Sequence, residues 1–100
     1  VKGKLGYMAP EVALGMQVLP VSDIFSAGVV AWELVTALPL FSGRTDFETM
    51  RKLREEPVVP PSRHNPTCPA LLDQVILAAL EREPENRLAG ARAFRTVLDQ

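Results

Sequence analysis

Cysteine and histidine, two residue types that often do chemistry, occur once each in this 100-residue chain. Cys68 is the only cysteine, so it has no partner for an internal disulfide and no companions for a cysteine-cluster metal site. A half-buried loop thiol is the expectation, and it fits a reducing cytoplasm. His64 is the only histidine and lies in a proline-rich stretch with no acidic neighbour, which predicts a loop residue without a proton-transfer role. Arg51, Lys52 and Arg54 form a basic cluster that reads as a solvated helix face. No Gly-x-Gly-x-x-Gly run is present to cradle a nucleotide. Neither Cys68 nor His64 is therefore expected to hold a metal or move a proton.

The elements that position these groups read as almost entirely helical. Hydrophobic content of 47% with 23% charged residues is the balance of a soluble globular chain. A net charge of −1, with cations spread along the sequence, gives no footprint for nucleic acid or an anionic membrane. Ile24 to Val35 is the most apolar stretch, but Ser26 and Glu33 interrupt it and it is too short to span a bilayer. No signal peptide opens the chain.

Helices are predicted near residues 9 to 15, 22 to 36, 46 to 55, 69 to 82 and 91 to 99, with no sheet. Pro10 suits a first helical position and Gly15 a stop. Ser22 is the expected cap of the second helix, which is apolar on almost every face and so belongs at the centre of a core. Thr45-Asp46-Phe47-Glu48 has capping-box spacing, and Phe47, Met50 and Leu53 follow at helical intervals. Pro57 to Pro69 reads as an extended, ordered loop. A broad apolar stripe from Leu71 to Leu80 ends before Pro84.

Three ordered signatures carry a family resemblance. Gly3-Lys4-Leu5-Gly6-Tyr7-Met8-Ala9-Pro10-Glu11 resembles the end of a protein-kinase activation segment. Asp23-Ile24-Phe25-Ser26-Ala27-Gly28-Val29, with Trp32-Glu33-Leu34 and Pro39-Leu40-Phe41 after it, is similar to the central helix of the kinase large lobe. Leu80-Glu81-Arg82-Glu83-Pro84-Glu85-Asn86-Arg87 is similar to the pattern before the last helix of that lobe, with Glu83 in place of the usual aspartate. The wording around Pro60-Pro61-Ser62, Asn65-Pro66 and Pro69-Ala70-Leu71 resembles bacterial serine/threonine kinases.

The resemblance implies a mainly α, incomplete C-terminal large lobe over residues 1–100, from the end of the activation segment through the last helix. It implies a substrate loop of Gly3, Lys4, Leu5, Gly6 and Tyr7. It also implies a structural set of Ala9, Pro10, Glu11, Asp23, Gly28, Trp32 and Arg87, in which Glu11 pairs with Arg87 and Asp23 either accepts backbone hydrogen bonds from the catalytic loop or, in this chain, complements its own helix end. Phosphoryl transfer further needs His-Arg-Asp and Asp-Phe-Gly groups, and neither triplet occurs. ATP and Mg are thus expected in a complete kinase and not on this chain alone, with protein substrates as partners and no nucleic acid or membrane contact. Lys4 departs from the family, standing where most serine/threonine members carry threonine. Two alternatives stay open: a pseudokinase-derived module binding partners through the helix from Asp46, and an unrelated helical adaptor.

Overall fold

The computed structural model describes residues 5–16, 18–87 and 92. Among them are four α-helices and no strand: α1 (Pro10–Ala13), α2 (Pro20–Thr36), α3 (Asp46–Glu55) and α4 (Ala70–Ala79), with 3-10 turns at Leu5–Tyr7, Pro61–Arg63 and Pro84–Asn86. Of the helix expected over 91 to 99, Arg92 alone is among the described residues, where it is helical.

Helix α2 starts earlier than expected, because Pro20 occupies its first turn with its φ already set and Leu19 before it is extended. Ser22 is therefore not the cap. It sits inside the first turn, where its Oγ accepts the Leu19 N–H at 3.1 Å. Ala37 ends the helix in the left-handed region at φ 59, its N–H donating to the Glu33 carbonyl. Helix α3 keeps its expected bounds, and Thr45 caps it by accepting the Glu48 N–H at 3.1 Å. At its other end Arg82 donates to the carbonyls of Leu53 (2.9 Å), Lys52 (3.2 Å) and Glu56, a side-chain substitute for the missing next turn.

Helix α4 stops at Ala79 and not at residue 82. Pro84 has no N–H with which to continue it, and the carbonyls of Glu81 and Arg82 turn instead to the Arg87 guanidinium.

The core gathers around α2. Phe25, Val29 and Trp32 meet Ala9, Phe41, Leu53, Ile76 and Leu80, and the Phe25 and Phe41 rings stack with centroids 6.2 Å apart. Gly28 lets α4 approach: a Cβ there would lie 3.0 Å from the Ala79 Cβ and 3.1 Å from Leu80 Cδ2. The proline-rich loop is held to α2 by Trp32 Nε1 donating to the Val59 carbonyl (2.7 Å) and Asn65 Nδ2 to the Val35 carbonyl (2.9 Å). Only part of α2 is enclosed. Val30 and Leu34 remain 46% and 79% exposed, so its central position is met on one face and left open on the other.

Candidate functional site

The Leu5–Tyr7 turn is built onto two elements at once. Gly6 is buried against the linker after α2, where a Cβ would come 2.5 Å from the Phe41 carbonyl oxygen, so no larger residue fits without moving backbone. Tyr7 is held at both ends by α2: Ser26 Oγ donates to its carbonyl at 2.6 Å, and its phenol donates to Glu33 Oε1 at 2.5 Å. The other Glu33 oxygen accepts the Leu40 N–H at 2.8 Å. The bond to Glu33, then burial, push the Tyr7 phenol above its ordinary value. Gly3 and Lys4 lie outside the described residues.

Four residues after the turn, Glu11 enters an enclosed ion pair. Ala9 and Pro10 are buried and start α1, which places Glu11 toward the interior. Arg87, with no exposed surface, donates from NH1 to Glu11 Oε2 and from NH2 to Oε1, both at 2.7 Å. Two parallel bonds are what a planar guanidinium offers a carboxylate.

The remaining Arg87 donors reach the carbonyls of Val21 (3.2 Å), Arg82 (2.8 Å) and Glu81, and its guanidinium carbon lies 5.1 Å from the Phe25 ring centroid. Ser22 Oγ adds a donor to Glu11 Oε2 at 2.6 Å. The Arg87 bonds outweigh the desolvation of the carboxyl and, with Ser22, hold Glu11 down at about 2. One arginine thus joins α1, the start of α2 and the end of α4.

The other residues singled out in the sequence are dispersed. Asp23 is exposed in the first turn of α2, while Gly28 and Trp32 face the core. Cys68 is buried rather than half-buried, because its sulfur packs onto the first turn of α4, 3.5 Å from Asp73 Oδ1. Burial and then Asp73 raise its thiol pKa. Asp73 in turn accepts the Ser62 N–H at 3.0 Å and the Ser62 hydroxyl, which lowers its own pKa. His64 is exposed, with its ring edge-on to Trp32 at 5.6 Å.

The basic cluster splits. Arg51 lies 3.7 Å from Glu56, and Lys52 donates to the Ser42 carbonyl at 2.7 Å. Arg51 and Arg54 line a groove of about 430 Å³ between Leu5 and α3, together with Asp46, Glu55, Met50 and Phe47, which is 72% exposed. Of the three residues at helical intervals, Leu53 is buried and Phe47 is exposed.

The sequence motifs include Glu33 without assigning it a partner, and Ser22 reads there only as a cap. The available signal was an acid inside an otherwise apolar helix, which needs a partner when buried. Among the described residues no group of three or more His, Cys, Asp or Glu side chains is placed to hold a metal ion.

The family model of the protein kinase domain matches residues 1–98. A tyrosine-protein kinase, MasK of Myxococcus xanthus, is 37% identical over 99 residues, covering 99% of this chain and 15% of that protein. The serine/threonine-protein kinase PknB of Mycobacterium tuberculosis is 38% identical over 97 residues, 96% of this chain and 15% of that protein. Among solved structures, the twitchin kinase region from C. elegans superposes with a TM-score of 0.81 at 26% identity, covering 95% of this chain and 17% of that one. The chain thus spans about 15% of the length of these curated relatives. The mainly helical fold, the buried motif residues and this match along nearly the whole sequence agree: the chain belongs to the protein kinase domain family.

Proposed function

We propose that residues 1–100 are the substrate-side part of a protein kinase large lobe, running from the end of the activation segment through the last helix. The intact protein uses ATP and Mg to phosphorylate serine or threonine in protein substrates in the cytoplasm, with the nucleotide site, metal ligands and catalytic base supplied from outside this segment. Gly3, Lys4, Leu5, Gly6 and Tyr7 form the loop beneath the acceptor residue. Ala9, Pro10, Glu11, Asp23, Gly28, Trp32 and Arg87 form its support.

The observation that carries this reading is that α2 holds the Leu5–Tyr7 turn through Ser26 and Glu33 and also meets the Glu11–Arg87 pair through Ser22. Serine/threonine preference is supported by the Gly-x-x-Gly-Tyr-Met wording and by the relative named PknB. The relative named as a tyrosine kinase makes acceptor identity the point to measure.

A second reading, a pseudokinase-derived binding module, is favoured by Lys4 and by the groove beside the exposed Phe47. Sequencing of the intact gene for His-Arg-Asp and Asp-Phe-Gly groups upstream, followed by a labelled-phosphate assay, separates the two. Their presence with transfer supports the kinase; their loss without transfer supports the module.

A further inference from the structure

Helix α3 ends where Pro57 follows Glu56, and a proline has no N–H to give the carbonyl four residues back, that of Leu53. Arg82 fills that place from another part of the chain. We propose that Arg82 is the positioning residue of α3, fixing how this helix stands beside the substrate loop and so how tightly a protein substrate is held, a role that rests on the kinase reading above.

The Arg82 donors go to backbone and not to acids. Nε donates to the Leu53 carbonyl at 2.9 Å, and NH2 donates to the carbonyls of Lys52 (3.2 Å) and Glu56. None of the described ion pairs includes Arg82, although Glu55, Glu56 and Glu81 lie near enough to act on its charge. The root of the side chain is fixed as well: the Arg82 carbonyl accepts from Arg87 NH2 at 2.8 Å, the nitrogen that also binds Glu11. Little else holds this end of α3. Leu53 is its one buried side chain, and its other tethers, Thr49 Oγ accepting the Gly43 N–H (3.0 Å) and Lys52 donating to the Ser42 carbonyl (2.7 Å), reach the linker before it. Phe47, Met50, Arg51 and Arg54 share one face of α3 and line the groove with Leu5, so a tilt of the last turn changes the width of that groove.

The test uses the intact protein with Arg82→Met, which keeps an unbranched side chain without N–H donors, and Arg82→Lys, which keeps an ammonium able to reach a carbonyl. Steady-state assays measure KM for a serine peptide and for ATP at low and high salt, alongside melting temperature and amide exchange at Glu56, whose N–H shares the Lys52 carbonyl with Arg82. Arg82→Met should raise peptide KM about tenfold with ATP KM unchanged, and Glu56 exchange should quicken. Arg82→Lys should restore part of both. The peptide effect should persist at high salt, because bonds to carbonyls and not long-range charge produce it.

An Arg82→Met variant with wild-type peptide KM overturns the inference. So does a parallel rise in both KM values with a fall in melting temperature, which marks general damage, and so does a peptide effect that vanishes at high salt, which marks the charge alone. Should Arg82→Met not fold, Arg82→Lys decides on the same measurements: a rise confined to peptide KM supports the role, and wild-type or parallel KM values remove it. If the wild-type protein transfers no phosphate, the kinase reading fails and the exchange arm still decides: quickened Glu56 exchange in Arg82→Met keeps Arg82 as the residue that positions α3, and unchanged exchange removes it.

Discussion

Arg87 reaches across 76 positions of sequence to hold both carboxylate oxygens of Glu11 at 2.7 Å, with no solvent-exposed surface of its own. Removing one partner leaves the other charged and enclosed. In the intact protein Arg87→Ala should cost about 3–5 kcal/mol, and combining it with Glu11→Gln should cost less than the sum of the two. Additive denaturation free energies would show that the two charges act independently.

The same pair sets an acid limit on stability. Glu11 is held at about 2, below its ordinary 4.5, so its folded state binds a proton less readily than its unfolded state. The stabilisation is present above about 4.5 and is lost as pH falls from there through about 2. Denaturant midpoints of wild type and Glu11→Gln should therefore differ at neutral pH and converge on acidification. A constant difference across that window would contradict the assignment.

Trp32 combines core volume with a buried donor. Trp32→Ala should cost about 3–5 kcal/mol, and Trp32→Phe about 1–3 kcal/mol through the Val59 carbonyl left without its partner. Equal stability of Trp32→Phe and wild type in chemical denaturation would show that water replaces the indole.

Two backbone positions on α2 should respond in opposite directions. Ala37 adopts φ 59, where glycine has no Cβ penalty, so Ala37→Gly should stabilise by about 0.5–1 kcal/mol. At Gly28 a methyl group meets Ala79 and Leu80, and Gly28→Ala should destabilise by about 1–3 kcal/mol. Thermal unfolding of the two single variants checks both signs together.

How far the sequence was legible depended on whether a local signal decided the outcome. Helix α3 kept its expected bounds because Thr45 caps it through the first-turn backbone, a purely local device. The ends of α2 and α4 moved because Pro20 sets a start that Ser22 only imitated, and because Arg87 draws off the carbonyls after Ala79. Helical spacing placed Leu53 inside but could not distinguish Phe47, which opens onto the groove near Leu5. The Glu11–Arg87 pairing came from the family resemblance, since nothing local connects residues so far apart. Glu33 was visible as an interruption in an apolar run and as part of the Trp32-Glu33-Leu34 motif, but its partners Tyr7 and Leu40 become adjacent only when the turn and the linker fold onto α2.

Lys4 tests how tolerant the loop is of its departure from the family. A long, hydrated ammonium stem can swing to the mouth of the site and leave the backbone path of the loop unchanged. Lys4→Thr in the intact protein should change turnover on serine and threonine peptides by less than about tenfold. An inactive wild type that gains activity on this substitution would favour the binding-module reading.

The most direct test of the central claim is phosphoamino-acid analysis after the intact protein is incubated with labelled ATP, Mg and a mixture of serine, threonine and tyrosine peptides. Label on serine and threonine is the predicted result. No transfer, or label on tyrosine alone, would contradict it.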